Sequence, residues 1–98
     1  MVYCISDIHG EIDKFHAMLE LIRFSETDTL YVLGDVIDRY PGGVDILLEI
    51  MQSKNIIMIK GNHEQMMYDD LGPIAEYGAR QLWLSNGGGC TRRELLYH

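Results

Sequence analysis

Asp7, His9, Asp35, Asp38, Asn62 and His63 are the side chains of this 98-residue chain best suited to holding a cation or moving a proton. They fall in three short polar segments, Asp7-Ile8-His9-Gly10, Gly34-Asp35-Val36-Ile37-Asp38-Arg39 and Gly61-Asn62-His63-Glu64, nearly evenly spaced and each directly after an apolar run. Carboxylate and amide oxygens with imidazole nitrogens make a mixed donor set suited to divalent metals. One such segment is weak evidence, since Asp and Gly are ordinary residues of a turn. Taken alone, Asp38 and Arg39 read as a surface ion pair, and Asn62 as the cap of a helix beginning near His63. As a set, six potential ligands or proton carriers that all follow strands point to one metal site at one sheet edge.

The elements that must position them follow from the apolar pattern. Residues 2–6 read as a strand ending at Asp7, and residues 29–33 as a second strand whose near-continuous apolar character implies cover on both faces. Residues 55–59 make a third. Between the first two, Ile12, Phe15, Met18, Leu19 and Ile22 form a stripe that predicts a helix over 11–24, broken at 25–28. The apolar run from Val44 to Met51 predicts a second, substantially buried helix. The alternation implies parallel strands joined by right-handed crossovers, with all three polar segments at the edge where open α/β folds place their sites. Further on, 64–70 reads as a helical turn, 73–84 as a helix starting near its proline, and 91–96 as a short final turn.

Composition narrows the class. With 47% hydrophobic and 23% charged residues and no low-complexity tract, one globular domain over residues 1–98 is expected. A net charge of -7 with only eight scattered Lys and Arg argues against nucleic-acid binding and fits cation binding better. Cys4 and Cys90 form neither a CxxC pair nor a disulfide framework, and the start Met1-Val2-Tyr3-Cys4 lacks a basic leader. No apolar stretch approaches membrane-spanning length, so a reduced, cytoplasmic protein without a membrane partner is expected. His16 reads as a surface or half-buried histidine, His98 as a terminal residue, and Met51, Met58, Met66 and Met67 as core filler. The run Asn86-Gly87-Gly88-Gly89 lacks the Lys-Ser/Thr sequel of a nucleotide-binding loop, and no glycine fingerprint follows the first strand.

The three ordered motifs resemble those of the calcineurin-like metallophosphoesterases, and within them the phosphoprotein phosphatase group that includes bacteriophage and bacterial serine/threonine phosphatases. Gly61-Asn62-His63-Glu64-Gln65-Met66-Met67 looks especially like the phage-type enzymes, and Trp83-Leu84-Ser85-Asn86-Gly87-Gly88-Gly89 resembles a stretch they carry further on. The resemblance implies a βαβαβ amino-terminal half of a four-layer αββα sandwich, lacking most of the second sheet. It implies Asp7 and His9 on a first metal, Asp35 bridging two metals, and Asn62 on the second metal and near the substrate phosphate. His63 would be the catalytic acid, Asp38 its orienting partner, and Arg39 the phosphate clamp, a task suited to a guanidinium fork.

The implied reaction is phosphoester hydrolysis by hydroxide activated at two divalent ions, with Mn²⁺ the leading expectation and Fe or Zn the alternatives. Implied substrates are phosphorylated proteins or small phosphoesters; the alternatives are dinucleoside polyphosphates, or no catalysis at all in a metal-binding or interaction fragment. Family members are longer and complete the second metal site with later histidines and a further arginine. That leaves the second site incomplete here, the chain inactive or weakly active, and one sheet face uncovered, with homo-oligomerisation expected through it.

Overall fold

The computed structural model describes residues 1–97; His98 lies outside the described residues. Its elements in chain order are β1 (Val2–Ile5), α1 (Ile12–Leu21), β2 (Thr29–Val32), α2 (Gly43–Gln52), β3 (Ile56–Met58), α3 (Asn62–Leu71), α4 (Ala79–Ser85) and α5 (Gly89–Tyr97). The strands form one parallel sheet in the order β1-β2-β3, with Cys4 opposite Tyr31 and Tyr31 opposite Ile57. This is the α/β, βαβαβ arrangement expected from the alternation.

The helices differ from expectation chiefly at their ends. Helix α1 stops at Leu21 because Arg23 turns left-handed (φ 51°), so that Phe24 N–H donates to Leu19 O and Arg23 N–H to Glu20 O. This is a Schellman ending. Glycine usually marks it, and its absence here made the pattern read on to residue 24. Segment 64–70 is no mere turn but the ten-residue α3, and 91–96 belongs to the nine-residue α5. Apolar periodicity is faint in α3 because its buried residues are His63, Glu64 and Asp70. The helix expected over 73–84 begins only at Ala79, because Gly78 adopts φ 78° immediately before it.

The core lies on one side of the sheet. Leu30 and Val32 from β2 pack with Phe15 of α1, Ile46 and Ile50 of α2, and Ile8 and Val36 from the site loops; Tyr3, Ile5, Ile56 and Met58 line the same side. Successive right-handed crossovers that move one strand at a time in one direction put both helices on one face. The expectation of a strand covered on both faces is therefore corrected: Val2, Cys4 and Ile57 on the opposite face are exposed, and Tyr31 is half-buried. Met51 is also exposed rather than core filler. His16 lies at the surface, its Nε2 2.8 Å from Glu49 Oε1. Cys4 and Cys90 are free thiols. Among the described residues, no helix is long and apolar enough to cross a membrane.

Candidate metal centre

The loops leaving the strands continue the sheet's ladder beyond the strands themselves. His9 N–H donates to Asp35 O (3.0 Å) and Gly10 N–H to Val36 O (2.7 Å), which draws the first polar segment onto the second. The third is drawn in by close backbone approach: a Cβ on Gly34 (φ 91°) would sit 2.4 Å from Gly61 Cα. A side chain at either glycine would push the two loops apart.

Glu64 locks this junction. Its buried carboxylate accepts from Asp35 N–H (2.7 Å) and Gly61 N–H (2.9 Å) at Oε1, and from Val36 N–H (2.8 Å) and Ile37 N–H (3.3 Å) at Oε2. One side chain in the first turn of α3 thus satisfies amides of two separate loops. Asp35 Oδ1 in turn accepts from His63 N–H at 3.0 Å.

Among the described residues, six non-glycine residues have positive φ: Asp7, His9, Asp35, Asp38 and Arg39 in these loops, and Arg23 at the end of α1. Asp and His tolerate that region better than most residues, yet such conformations still cost on the order of 1–3 kcal/mol each and gather at functional sites. Here they turn side chains toward a common point. Asp7, His9 and Asp35 each offer a ligand atom within 4.8 Å of the other two.

That set fits a divalent cation. Donors around one cation at 2.0–2.6 Å lie no more than about twice that distance apart. His9 is prepared for the role, since its Nδ1 donates to Ile37 O at 2.9 Å, leaving Nε2 as the free nitrogen, 3.7 Å from Asp7 Oδ1. An imidazole held through its other nitrogen by a backbone carbonyl is the usual arrangement of a metal-ligating histidine. Asn62, at the first position of α3, forms no cap with its side chain and lines the same cleft. The reading of Asn62 as a helix cap is thereby excluded.

The cleft has a volume of about 510 Å³. It is lined by Asp7, His9, Asp35, Arg39, Asn62 and His63, with Gln65 and Met66 of α3, Leu82 of α4 and Asn86 forming the remaining walls. Met66, expected as core filler, is instead part of that wall. All the candidate residues except Asp38 thus face one space.

Asp38 lies beneath it. Fully buried, it accepts at Oδ2 from His63 Nδ1 (2.7 Å) and from Trp83 Nε1 (2.8 Å). The surface ion pair with Arg39 is therefore excluded. A carboxylate only accepts, so the His63 proton on this side belongs to Nδ1, and Nε2 is left for other partners. The His63 ring meets the His9 ring edge to face at 4.6 Å, which places the His63–Asp38 pair directly beside the ligand group.

Glu64, Trp83 and Thr91 matter here and carried no assigned role in the sequence reading. For Glu64 the available signal was its position three residues after Gly61, where a glutamate reaches back to helix-entry amides. Trp83 is the sole tryptophan, and a buried indole needs an acceptor. Thr91 offered no local signal.

A parallel α/β sheet with a carboxylate and imidazole cluster at its carboxyl edge and a buried His–Asp pair beside it defines an α/β domain with a candidate cation site at that edge. The chain belongs to the calcineurin-like phosphoesterase family, whose model matches residues 1–94. It is also similar to proteins named symmetrical bis(5'-nucleosyl)-tetraphosphatases from Salmonella arizonae, Salmonella newport and Salmonella typhimurium. Each is 38% identical over 64 residues, which is 63% of this chain and 23% of the relative. The match therefore spans about a quarter of those proteins.

Proposed function

We propose that this chain carries part of a metal-dependent phosphoester hydrolase centre, in which Asp7, His9 and Asp35 hold one divalent cation and Asp35 with Asn62 contributes to a second. The observation that supports it is the opening of the three-residue ligand group into the same cleft as Arg39 and His63. Cations bound there supply Lewis acidity toward phosphate and acidify water. The chain's own residues do the rest. Arg39 takes phosphate oxygens through its guanidinium, and His63, held by Asp38 at Nδ1, delivers a proton from Nε2 to the departing oxygen. Among the described residues, Asp35 and Asn62 are the two assigned to the second cation, against three for the first, so the second binds more weakly.

Between phosphorylated proteins and dinucleoside polyphosphates, the names of the matched relatives favour the second, and a cytoplasmic setting is consistent with both. The test pairs titration calorimetry with Mn²⁺ and hydrolysis of p-nitrophenyl phosphate, a phosphoserine peptide and diadenosine tetraphosphate. One tight Mn²⁺ site lost in Asp35→Asn, and hydrolysis lost in His63→Asn, is the expected result. Hydrolysis that persists undiminished in His63→Asn would defeat the proposal, whereas Mn²⁺ binding with no turnover of any ester would favour a non-catalytic metal-binding module.

A further inference from the structure

The Asp38 carboxylate is gripped from beyond the three opening motifs. Besides His63, its partners are the Trp83 indole of α4 at Oδ2 and the Thr91 hydroxyl of α5 at Oδ1 (2.8 Å). The Thr91 oxygen also accepts from Asp38's own N–H at 2.9 Å, so a single hydroxyl ties backbone and side chain of the same residue. A terminal carboxylate torsion is soft, and one bond to an imidazole leaves it free to swing. Three donors on two oxygens, in a site with no solvent access, remove that freedom and act at low local dielectric.

The surrounding backbone is built around this grip. Asp38 and Arg39 both have positive φ, and Arg39 N–H donates to Gly87 O at 3.0 Å, so the α4–α5 junction holds the strained loop. Gly88 N–H closes the end of α4 on Trp83 O, and a Cβ at Gly88 would sit 2.4 Å from Trp83 Nε1. Only glycine lets the indole reach Asp38.

We infer that Trp83 and Thr91 are positioning residues that fix the Asp38 carboxylate and thereby aim His63 into the cleft, making α4 and α5 part of the reaction centre. Its kinetic consequence rests on the role proposed for His63; its structural content does not.

The test uses the 98-residue chain, observed by proton NMR at one pH. In the unmodified chain, the His63 Nδ1–H and Trp83 Nε1–H protons are expected far downfield, slow to exchange and joined by a mutual Overhauser contact, since both aim at Asp38 Oδ2. Thr91→Val preserves volume and removes the hydroxyl. It is expected to shift or broaden the His63 proton and, with Mn²⁺ and a chromogenic phosphate ester, to lower kcat about 10- to 100-fold with KM little changed, the range seen for partners standing behind site residues. Thr91→Ser restores the hydroxyl and is expected to return both. A folded Thr91→Val chain with an unmoved His63 proton overturns the inference, as does failure of Thr91→Ser to restore it. Should Thr91→Val not fold, the unmodified chain decides: fast exchange of either proton, or no contact between them, overturns the inference. Should no version hydrolyse the ester, a His63 proton that moves in Thr91→Val and returns in Thr91→Ser still supports it, while the proposed reaction falls.

Discussion

Glu64 shows how much one residue organises here. It belongs to the same short motif as Asn62 and His63, yet it faces away from the cleft and accepts four backbone amides from two loops. Glu64→Gln keeps shape but turns an NH₂ toward N–H donors that had an oxygen. Two buried amides lose their acceptor, at about 1–3 kcal/mol each. Chemical denaturation is expected to show a loss of about 2–6 kcal/mol, with Mn²⁺ affinity falling alongside because Asp35 moves with its amide. An unchanged unfolding midpoint would remove Glu64 from its assigned place. For His63→Asn the opposite pattern is expected on the role proposed for it: the fold is retained by circular dichroism, and hydrolysis of p-nitrophenyl phosphate falls by about 10²–10⁴, the usual contribution of a positioned acid.

At the scale of elements, loop crossings and turns decide what the strands can present. Gly34 and Gly78 both have positive φ, but a Cβ at Gly34 strikes Gly61 whereas one at Gly78 meets nothing within 4 Å. Gly78→Ala should therefore cost only the left-handed penalty of about 1–2 kcal/mol. Gly34→Ala should cost clearly more in thermal unfolding and weaken Mn²⁺ binding, since the loops carrying Asp35 and Asn62 must separate. Equal losses for the two would contradict the close approach.

The turn between α1 and β2 has its own pH dependence. Asp28 is held below the usual carboxylate range, first by the Ser25 amide donating to it and next by the amino-terminal ammonium 3.1 Å away. With the folded value lowered, its stabilisation is complete above the ordinary aspartate pKa near 4 and disappears as pH falls through the lower folded value. Asp28→Asn is expected to flatten that acid dependence, read from the Ser25 amide resonance across an acid titration.

At the scale of the whole molecule, the sheet's second face sets behaviour in solution. Ile57 and Ile59 are 45% and 54% exposed, with Val2, Cys4 and Leu33 also open to solvent. The outer edges of β1 and β3 have no strand partner among the described residues. Apolar faces and free edges of this kind recruit other chains. The 98-residue chain is therefore expected to self-associate in light scattering, and Ile57→Lys to shift it toward monomer while preserving its helical circular dichroism. A folded, concentration-independent monomer would count against this.

Much was readable from the chain alone because periodicity and motif spacing are local quantities. The period-two and period-3.6 runs determined the β1, α1, β2, α2, β3 order, and strand-end placement determined that Asp7, His9, Asp35 and His63 share an edge. Helix α3 was blurred because its buried residues are polar, and α1 overran because arginine, not glycine, takes its left-handed end. What only tertiary structure decided were contacts between residues 27 to 53 positions apart: Trp83 and Thr91 on the Asp38 carboxylate, and Glu64 on the amides of Asp35, Val36 and Ile37. A hydrogen bond depends on distance and direction in space, and neither leaves a trace in residue spacing until the helices bearing the partners have packed.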